Sequence, residues 1–279
     1  MAEDVEQGGD LTGRGIRAFG GRPWRLVVRG LLRWRALYGV IAAPFVLREW
    51  RDFLRRYLFG HGGYPASFAV RTPLGARELS VYSHADVLTI MVCFIRRDYA
   101  VSSKSRFRIL DLGANIGISA AYFLTRHPAN EVYCVEPLSQ NCERLKLNLR
   151  GLEERYRLLP VGVADFSGVA TFGIDSTGVF SGIGHSSPEQ RELPCVHVDE
   201  LIDRMTTELG PVDLIKIDIE GYEERVARAI APEHRFSLQL VFLEAAPEDP
   251  VFGPEFRQRQ RDAVCVITRA SRTRGTPSR

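Results

Sequence analysis

Six carboxylates stand where five apolar runs stop. Asp111 closes Ile109-Leu110, Glu136 closes Val132-Tyr-Cys-Val135, and Asp165 follows Val161-Gly-Val-Ala164. Asp218 and Glu220 follow Leu214-Ile-Lys-Ile217, and Glu244 follows Leu240-Val-Phe-Leu243. A short apolar run bounded by turn residues reads as a buried strand. In an open α/β sheet the strand ends gather along one edge, over the point where the strand order reverses. Carboxylates collected there can accept ribose hydroxyls and exocyclic amines, hold a cationic ligand, or take a proton from a reacting alcohol.

The first acid leads into a glycine turn, Asp111-Leu-Gly-Ala-Asn-Ile-Gly117, and then a small and apolar helix start, Ile118-Ser-Ala-Ala121. Gly113 permits positive φ or close backbone approach, and Gly117 lets the helix sit near strand and ligand. A dinucleotide fingerprint G-x-G-x-x-G counted from Gly113 needs glycine at 115 and 118, where this chain has Asn115 and Ile118. That weighs against a nicotinamide-dependent oxidoreductase, the competing enzyme class. Glu136 lies 19 positions after Gly117 (136 − 117), placed to accept both ribose hydroxyls of an adenosine moiety. Asp165 is then positioned for an adenine amino group. Asp111, with Gly113, Asn115 and Gly117, would face the amino-acid part and the sulfonium of S-adenosylmethionine.

The elements that must hold these residues alternate. The chain predicts an amphipathic helical stretch from Trp24 to Leu58, broken at Pro44, and a β-hairpin around Pro73-Leu-Gly75. A helix from Asp86 to Tyr99 follows, then a linker over Ser102–Ser105. From Phe107 onward strands and helices take turns, which predicts a mostly parallel, Rossmann-like sheet. Ser139 is the expected N-cap of the helix after Glu136, and Asp199 that of a later helix. Tyr156 to Val163 reads as one strand. The segment Ser176–Ser187, rich in glycine and serine, reads as a lid or acceptor-binding loop. Pro254 to Asp262 reads as a short helix before a single strand, Ala263–Thr268, which leaves the C-terminal edge of the sheet short. The division is therefore a disordered tail (1–20), N-terminal helices with hairpin and helix (21–106), a catalytic domain (107–268) and a disordered basic tail (269–279).

Bulk properties limit the partners. Among 279 residues the net charge is +3, too small to argue for nucleic acid. Residues 11–60 hold eleven arginines and only Glu49 and Asp52 as acids. Three readings of those helices stay open: a cap packed on the catalytic domain, a basic face resting on an anionic membrane, and a docking face for a partner or anionic substrate. Five scattered cysteines without a C-x-x-C pair suggest reduced, buried thiols. No metal-ligand spacing is present. The first ten residues are acidic and polar, unlike a secretory signal. The expected location is cytoplasmic, with a peripheral position on the inner face of the membrane as the alternative.

Three blocks, Asp111-Leu-Gly-Ala-Asn-Ile-Gly117, Val135-Glu-Pro137 and Asp213-Leu-Ile-Lys-Ile-Asp-Ile-Glu-Gly-Tyr-Glu223, resemble the signature blocks of FkbM-type S-adenosylmethionine-dependent methyltransferases. The resemblance covers residues 107 to 245, and Lys216-x-Asp218-x-Glu220-Gly221 is its most specific part. It implies a class I methyltransferase fold and O-methylation of a hydroxyl on a sugar, glycan or natural product. An alcohol is a poor nucleophile, so a base must take its proton as the C–O bond forms. Asp218 and Glu220 are the candidates. Lys216, two positions before Asp218, should share its face and orient it or lower its pKa; a structural Lys216–Glu220 ion pair is the competing reading. His185, in the Ser176–Ser187 segment, is the other candidate base. A non-catalytic protein that keeps this fold is the remaining alternative.

Overall fold

The computed structural model describes residues 34–174, 182, 183, 187 and 189–270. Helix α1 (Trp34–Val46) and helix α2 (Trp50–Phe59) come first. Pro44 sits inside α1 rather than at its break, in the last turn. The chain leaves the helix at Leu47, whose backbone bridges to Val70. Strands β1 (Ala66–Thr72) and β2 (Gly75–Val81) form the expected antiparallel hairpin around Pro73-Leu74. Helix α3 (His84–Ile90) starts from a full capping box, in which Ser83 and Asp86 satisfy each other's backbone N–H groups. It widens into a π-helical turn, Met91–Arg96, and stops at Arg97 with φ 55°.

The main sheet has seven strands. Its parallel part contains β3 (Arg108–Leu112), β4 (Glu131–Val135), β5 (Tyr156–Leu159), β10 (Leu214–Ile217) and β11 (Leu240–Leu243). Strands β12 (Phe256–Arg261) and β13 (Val264–Arg269) complete it as an antiparallel hairpin, giving the order β12-β13-β11-β10-β3-β4-β5. The expected helix over Pro254–Asp262 is thus a strand, and the C-terminal edge is not short. On β12 Phe256 alone is buried while arginine and glutamine alternate beside it, so this edge strand carries little apolar period to read.

A second sheet, ordered β6-β9-β7-β8, is inserted after β5. It contains β6 (Gly162–Ala164), β7 (Gly168–Ile174), β8 (Gly182–Ile183) and β9 (Glu189–His197). The single strand expected over Tyr156–Val163 is two, because Pro160 lies between β5 and β6 and lacks the N–H that a ladder needs.

The remaining helices are α4 (Ile118–Leu124), α5 (Ser139–Asn148), α6 (Val198–Leu209) and α7 (Glu223–Ala229). Ser139 is not the N-cap of α5. Leu138 holds that place, and its N–H donates to Glu136 Oε1 at 3.0 Å. Nor does Asp199 cap α6. His197 does, with Nδ1 accepting the Asp199 N–H at 3.1 Å.

Alternation along the central strands decides which layer each side chain joins. Leu110, Leu112, Ile215 and Ile217 enter the core shared with α6 and α7. Asp111 and Lys216 therefore point to the opposite layer, and they are direct register partners across β3 and β10. That layer is a single apolar cluster reaching from Ala43, Leu47 and Phe53 through Val87, Ile95 and Tyr99 to Ile118–Leu124 and Phe242. The N-terminal helices and the sheet thus bury one core together.

Candidate active site

Strand order reverses between β3 and β10, since β4 and β5 run off on one side and β11 on the other. The C-terminal ends of β3 and β10 flank a cleft of about 210 Å³, the place where open α/β sheets bind ligands. The glycine turn makes one wall. Gly113 has φ 74°, and a Cβ built there would lie 1.8 Å from the Asp218 carbonyl oxygen, so only glycine fits between the two strand ends. Gly117, with φ 83°, leads into α4; a Cβ there would meet Leu145 at 2.9 Å, so its role is helix packing.

Glu136 lies in the cleft wall, 5% exposed. Its Oε2 accepts the Asn115 N–H at 3.0 Å, and its Oε1 accepts from Leu138 N–H and from Asn141 Nδ2 at 3.2 Å. Burial pushes its carboxyl up to about 7, against the pull of those donors. Asn115 adopts φ 46° and also lines the cleft. Its Oδ1 is buried with no hydrogen-bond partner among the described residues. An orphaned buried acceptor is costly unless something fills the site.

The floor is built by β10 and β11. Lys216 Nζ stands 3.1 Å from Asp111 Oδ1 and 3.3 Å from Asp218 Oδ2, and donates to the Gly113 carbonyl at 2.9 Å. Burial pulls the Lys216 ammonium down, but the Asp111 and Asp218 carboxylates outweigh it and hold the group well up. Burial likewise pushes Asp111 up, opposed by Lys216 and by the Ser119 hydroxyl, which donates to it at 2.6 Å. Glu244, at the end of β11, receives a hydrogen bond from Tyr99 Oη at 3.2 Å. The Asp218 carboxylate beside it and then its own burial push Glu244 up to about 9, so it carries a proton at neutral pH. Two acidic side chains, Asp111 and Asp218, stand against the single Lys216 ammonium, an excess of acidic groups suited to a cationic ligand.

The sequence-derived residues separate into three sets. Gly113, Asn115, Glu136, Lys216, Asp218 and Glu220 line the cleft. Asp111 does not: it is fully buried behind Lys216, so it anchors the lysine rather than facing a ligand. Asp165, expected at an adenine amino group, has other partners in the structure. It is not among the residues lining the cleft, and it accepts from Tyr222 Oη and from Arg225, both at 2.8 Å, which ties the end of β6 to α7. His185 lies outside the described residues, as does most of the Ser176–Ser187 segment.

Sequence reasoning left out the roof. Ala85, Leu88, Thr89 and Val92 of α3 and its π-helical turn close the cleft from above, and Phe172 and Ile183 of the inserted sheet close its side. Glu244 was visible as a strand-end acid, but its pairing with Asp218 depends on β10 and β11 being neighbours.

Sheet order, glycine turn and cleft together define a class I methyltransferase-type fold. The match that names the family is to the Methyltransferase FkbM domain, over residues 111–257, and the chain belongs to that family. A curated relative, the AMB antimetabolite synthetase AmbE of Pseudomonas aeruginosa, is 28% identical over 174 residues, 49% of this chain but only 8% of that protein. Methyltransferase FkbM from Methylobacillus flagellatus is a structural neighbour at TM-score 0.42 and 16% identity, covering 66% of this chain and 54% of that one. Aeropyrum pernix fibrillarin, solved with natively bound S-adenosyl-L-methionine, aligns at TM-score 0.37 and 13% identity, over 75% of this chain and 96% of that one.

Proposed function

We propose that the protein is an S-adenosylmethionine-dependent methyltransferase whose acceptor is a hydroxyl on a sugar, glycan or natural product. The observation that carries this is the orphaned Asn115 Oδ1 beside Glu136, over the floor of Lys216, Asp218 and Asp111. Two buried acceptors in the cleft wall, Glu136 and Asn115 Oδ1, can receive the hydroxyls and amines of a nucleoside's polar edge. A floor with two acidic side chains to one ammonium suits a sulfonium. When bound, S-adenosylmethionine supplies an electrophilic methyl group; the chain's residues supply everything else.

Glu136 and Asn115 hold the nucleoside end, with Phe172 and Ile183 as apolar neighbours for a base. The Gly113 turn allows the backbone to approach closely, and Lys216 keeps it in place through the Gly113 carbonyl. Asp218, part-exposed in the cleft, is the base that accepts the acceptor's hydroxyl proton. Lys216 fixes its orientation. Glu244, pushed up by the Asp218 carboxylate beside it and by burial, is the group of the two that keeps its proton, which leaves Asp218 as the base. Glu220, with φ 53°, lines the acceptor side.

Isotope-labelled S-adenosylmethionine, incubated with the protein and pooled glycans or metabolites, tests the reading. Label should appear in an alkali-stable methyl ether, and Asp218→Asn should lower its rate about 100- to 10,000-fold, as expected for loss of a general base. Transfer to nitrogen or carbon acceptors, or none with any acceptor, would refute the hydroxyl assignment.

A further inference from the structure

Helix α1 buries only Gly39 and Ala43, small residues that let it lie close on the core. Its opposite side carries Trp34, Leu37, Tyr38, Ile41 and Phe45 at three- and four-residue spacing, and all five are exposed, Trp34 by 72% and Phe45 by 73%. Ten large apolar side chains are exposed among the described residues, so one helix holds half of them. Such concentration marks an interaction face rather than ordinary surface. From Trp34 to Phe45 the stripe is about 16 Å long.

Arginines stand at both ends of it. At the Trp34 end, Trp34 and Tyr38 line a cleft with Arg35, Arg96, Arg259 and Arg261. Asp98 and Asp262 pair with Arg35 and Arg96, which leaves this cleft two positive charges in excess (four arginines less two aspartates). At the other end the Arg71 guanidinium donates to the Phe45 carbonyl at 3.4 Å. Arg48, in the turn that follows, and Arg51 and Arg55 on α2 are exposed as well.

We propose that α1 is a peripheral docking face for an anionic lipid bilayer. Aromatic and aliphatic side chains would enter the headgroup boundary while the flanking guanidinium groups meet lipid phosphates. No helix among the described residues is long and apolar enough to cross a membrane, so the contact proposed lies along the surface. A second copy of the chain fits the face less well. A twofold contact would bring the same arginine-rimmed patch against itself. This proposal does not rest on the methyl-transfer reading.

The test is co-sedimentation of the full chain with vesicles of phosphatidylcholine alone and of equimolar phosphatidylcholine and phosphatidylglycerol. Binding should occur on the anionic vesicles, weaken with added salt, and fall about tenfold or more in Ile41→Asp/Phe45→Asp, which removes apolar contact and adds like charge. Arg259→Ala should cost about fivefold, the effect of one interfacial arginine. Both variants alter exposed side chains, and unchanged thermal melting verifies their fold. Equal binding to both vesicle types would overturn the proposal, as would no binding, or full binding by the Ile41/Phe45 variant. A dimer that dissociates in that variant, seen by sedimentation velocity without vesicle binding, would assign the face to a second copy and overturn it too.

Discussion

Replacing Lys216 with methionine removes the charge at the centre of the site and keeps most of its volume. In the native protein the ammonium lies 3.1 Å from Asp111 and 3.3 Å from Asp218. The two carboxylates differ in what they can do afterwards. Asp218 is 26% exposed and can rehydrate, whereas Asp111 is 0% exposed and would keep only the Ser119 hydroxyl. Stranding one partner of a buried pair costs about 3–5 kcal/mol, and here that cost falls mainly on Asp111. The Gly113 carbonyl also loses its donor, so the glycine turn loosens. Urea unfolding at pH 7, followed by tryptophan fluorescence, should show the loss as a lower midpoint at unchanged slope. Adding Asp111→Asn should recover a large part of it, because the second substitution removes the stranded charge. The sign with pH follows. Asp111 is already pushed up by burial and would rise further without Lys216. A raised carboxyl favours the folded state below its unfolded value and loses that contribution as pH climbs through the folded one. Lys216→Met should therefore regain stability relative to the parent on acidification. A loss below about 1 kcal/mol, within the range of an exposed ion pair, would refute this account, as would a double variant no more stable than the single one.

Gly113→Ala places a methyl 1.8 Å from the Asp218 carbonyl at φ 74°, so the strand ends must part; thermal melting should fall, and stabilisation by S-adenosylhomocysteine should vanish. Glu136 is held up to about 7, and only its ionised form accepts two hydroxyls, so affinity for S-adenosylhomocysteine should rise between about pH 6 and 8. Calorimetry across that range should show the rise in the parent and a flat profile in Glu136→Gln. Glu244, raised from 4.5 to about 9, lends the folded state stability that is full below pH 4.5 and declines toward pH 9. Denaturation series at several pH values should find that decline removed in Glu244→Gln; an identical slope in parent and variant would contradict the proton assignment.

What the sequence made legible was governed by local rules. Gly113 and Gly117 announced the turn because few other residues tolerate φ of 74° and 83°. β4 and β11 showed themselves as apolar runs because both faces are covered, and β3 and β10 did so despite Asp111 and Lys216 within them. Three features depended on tertiary neighbours and were not legible. Asp165 looks like any strand-end acid until Tyr222 and Arg225 of another element take it up. Asp111 looks like a ligand contact until β10 sets Lys216 in register with it. The hairpin at the sheet edge was hidden by Arg257, Arg259 and Arg261, which reflect solvent rather than strand period. The roof of the cleft was missed for a related reason: α3 precedes the domain in sequence, and its apolar residues read equally well as packing.

The most direct test of the central claim is calorimetric titration of S-adenosylhomocysteine into the parent protein and into Glu136→Ala. Hydrogen bonds to a charged acceptor contribute about 1.5–3 kcal/mol, so the variant should bind roughly ten- to a hundredfold more weakly while melting as a folded protein. Equal affinities, or no binding by the parent, would contradict the account of this cleft as the methyl-donor site.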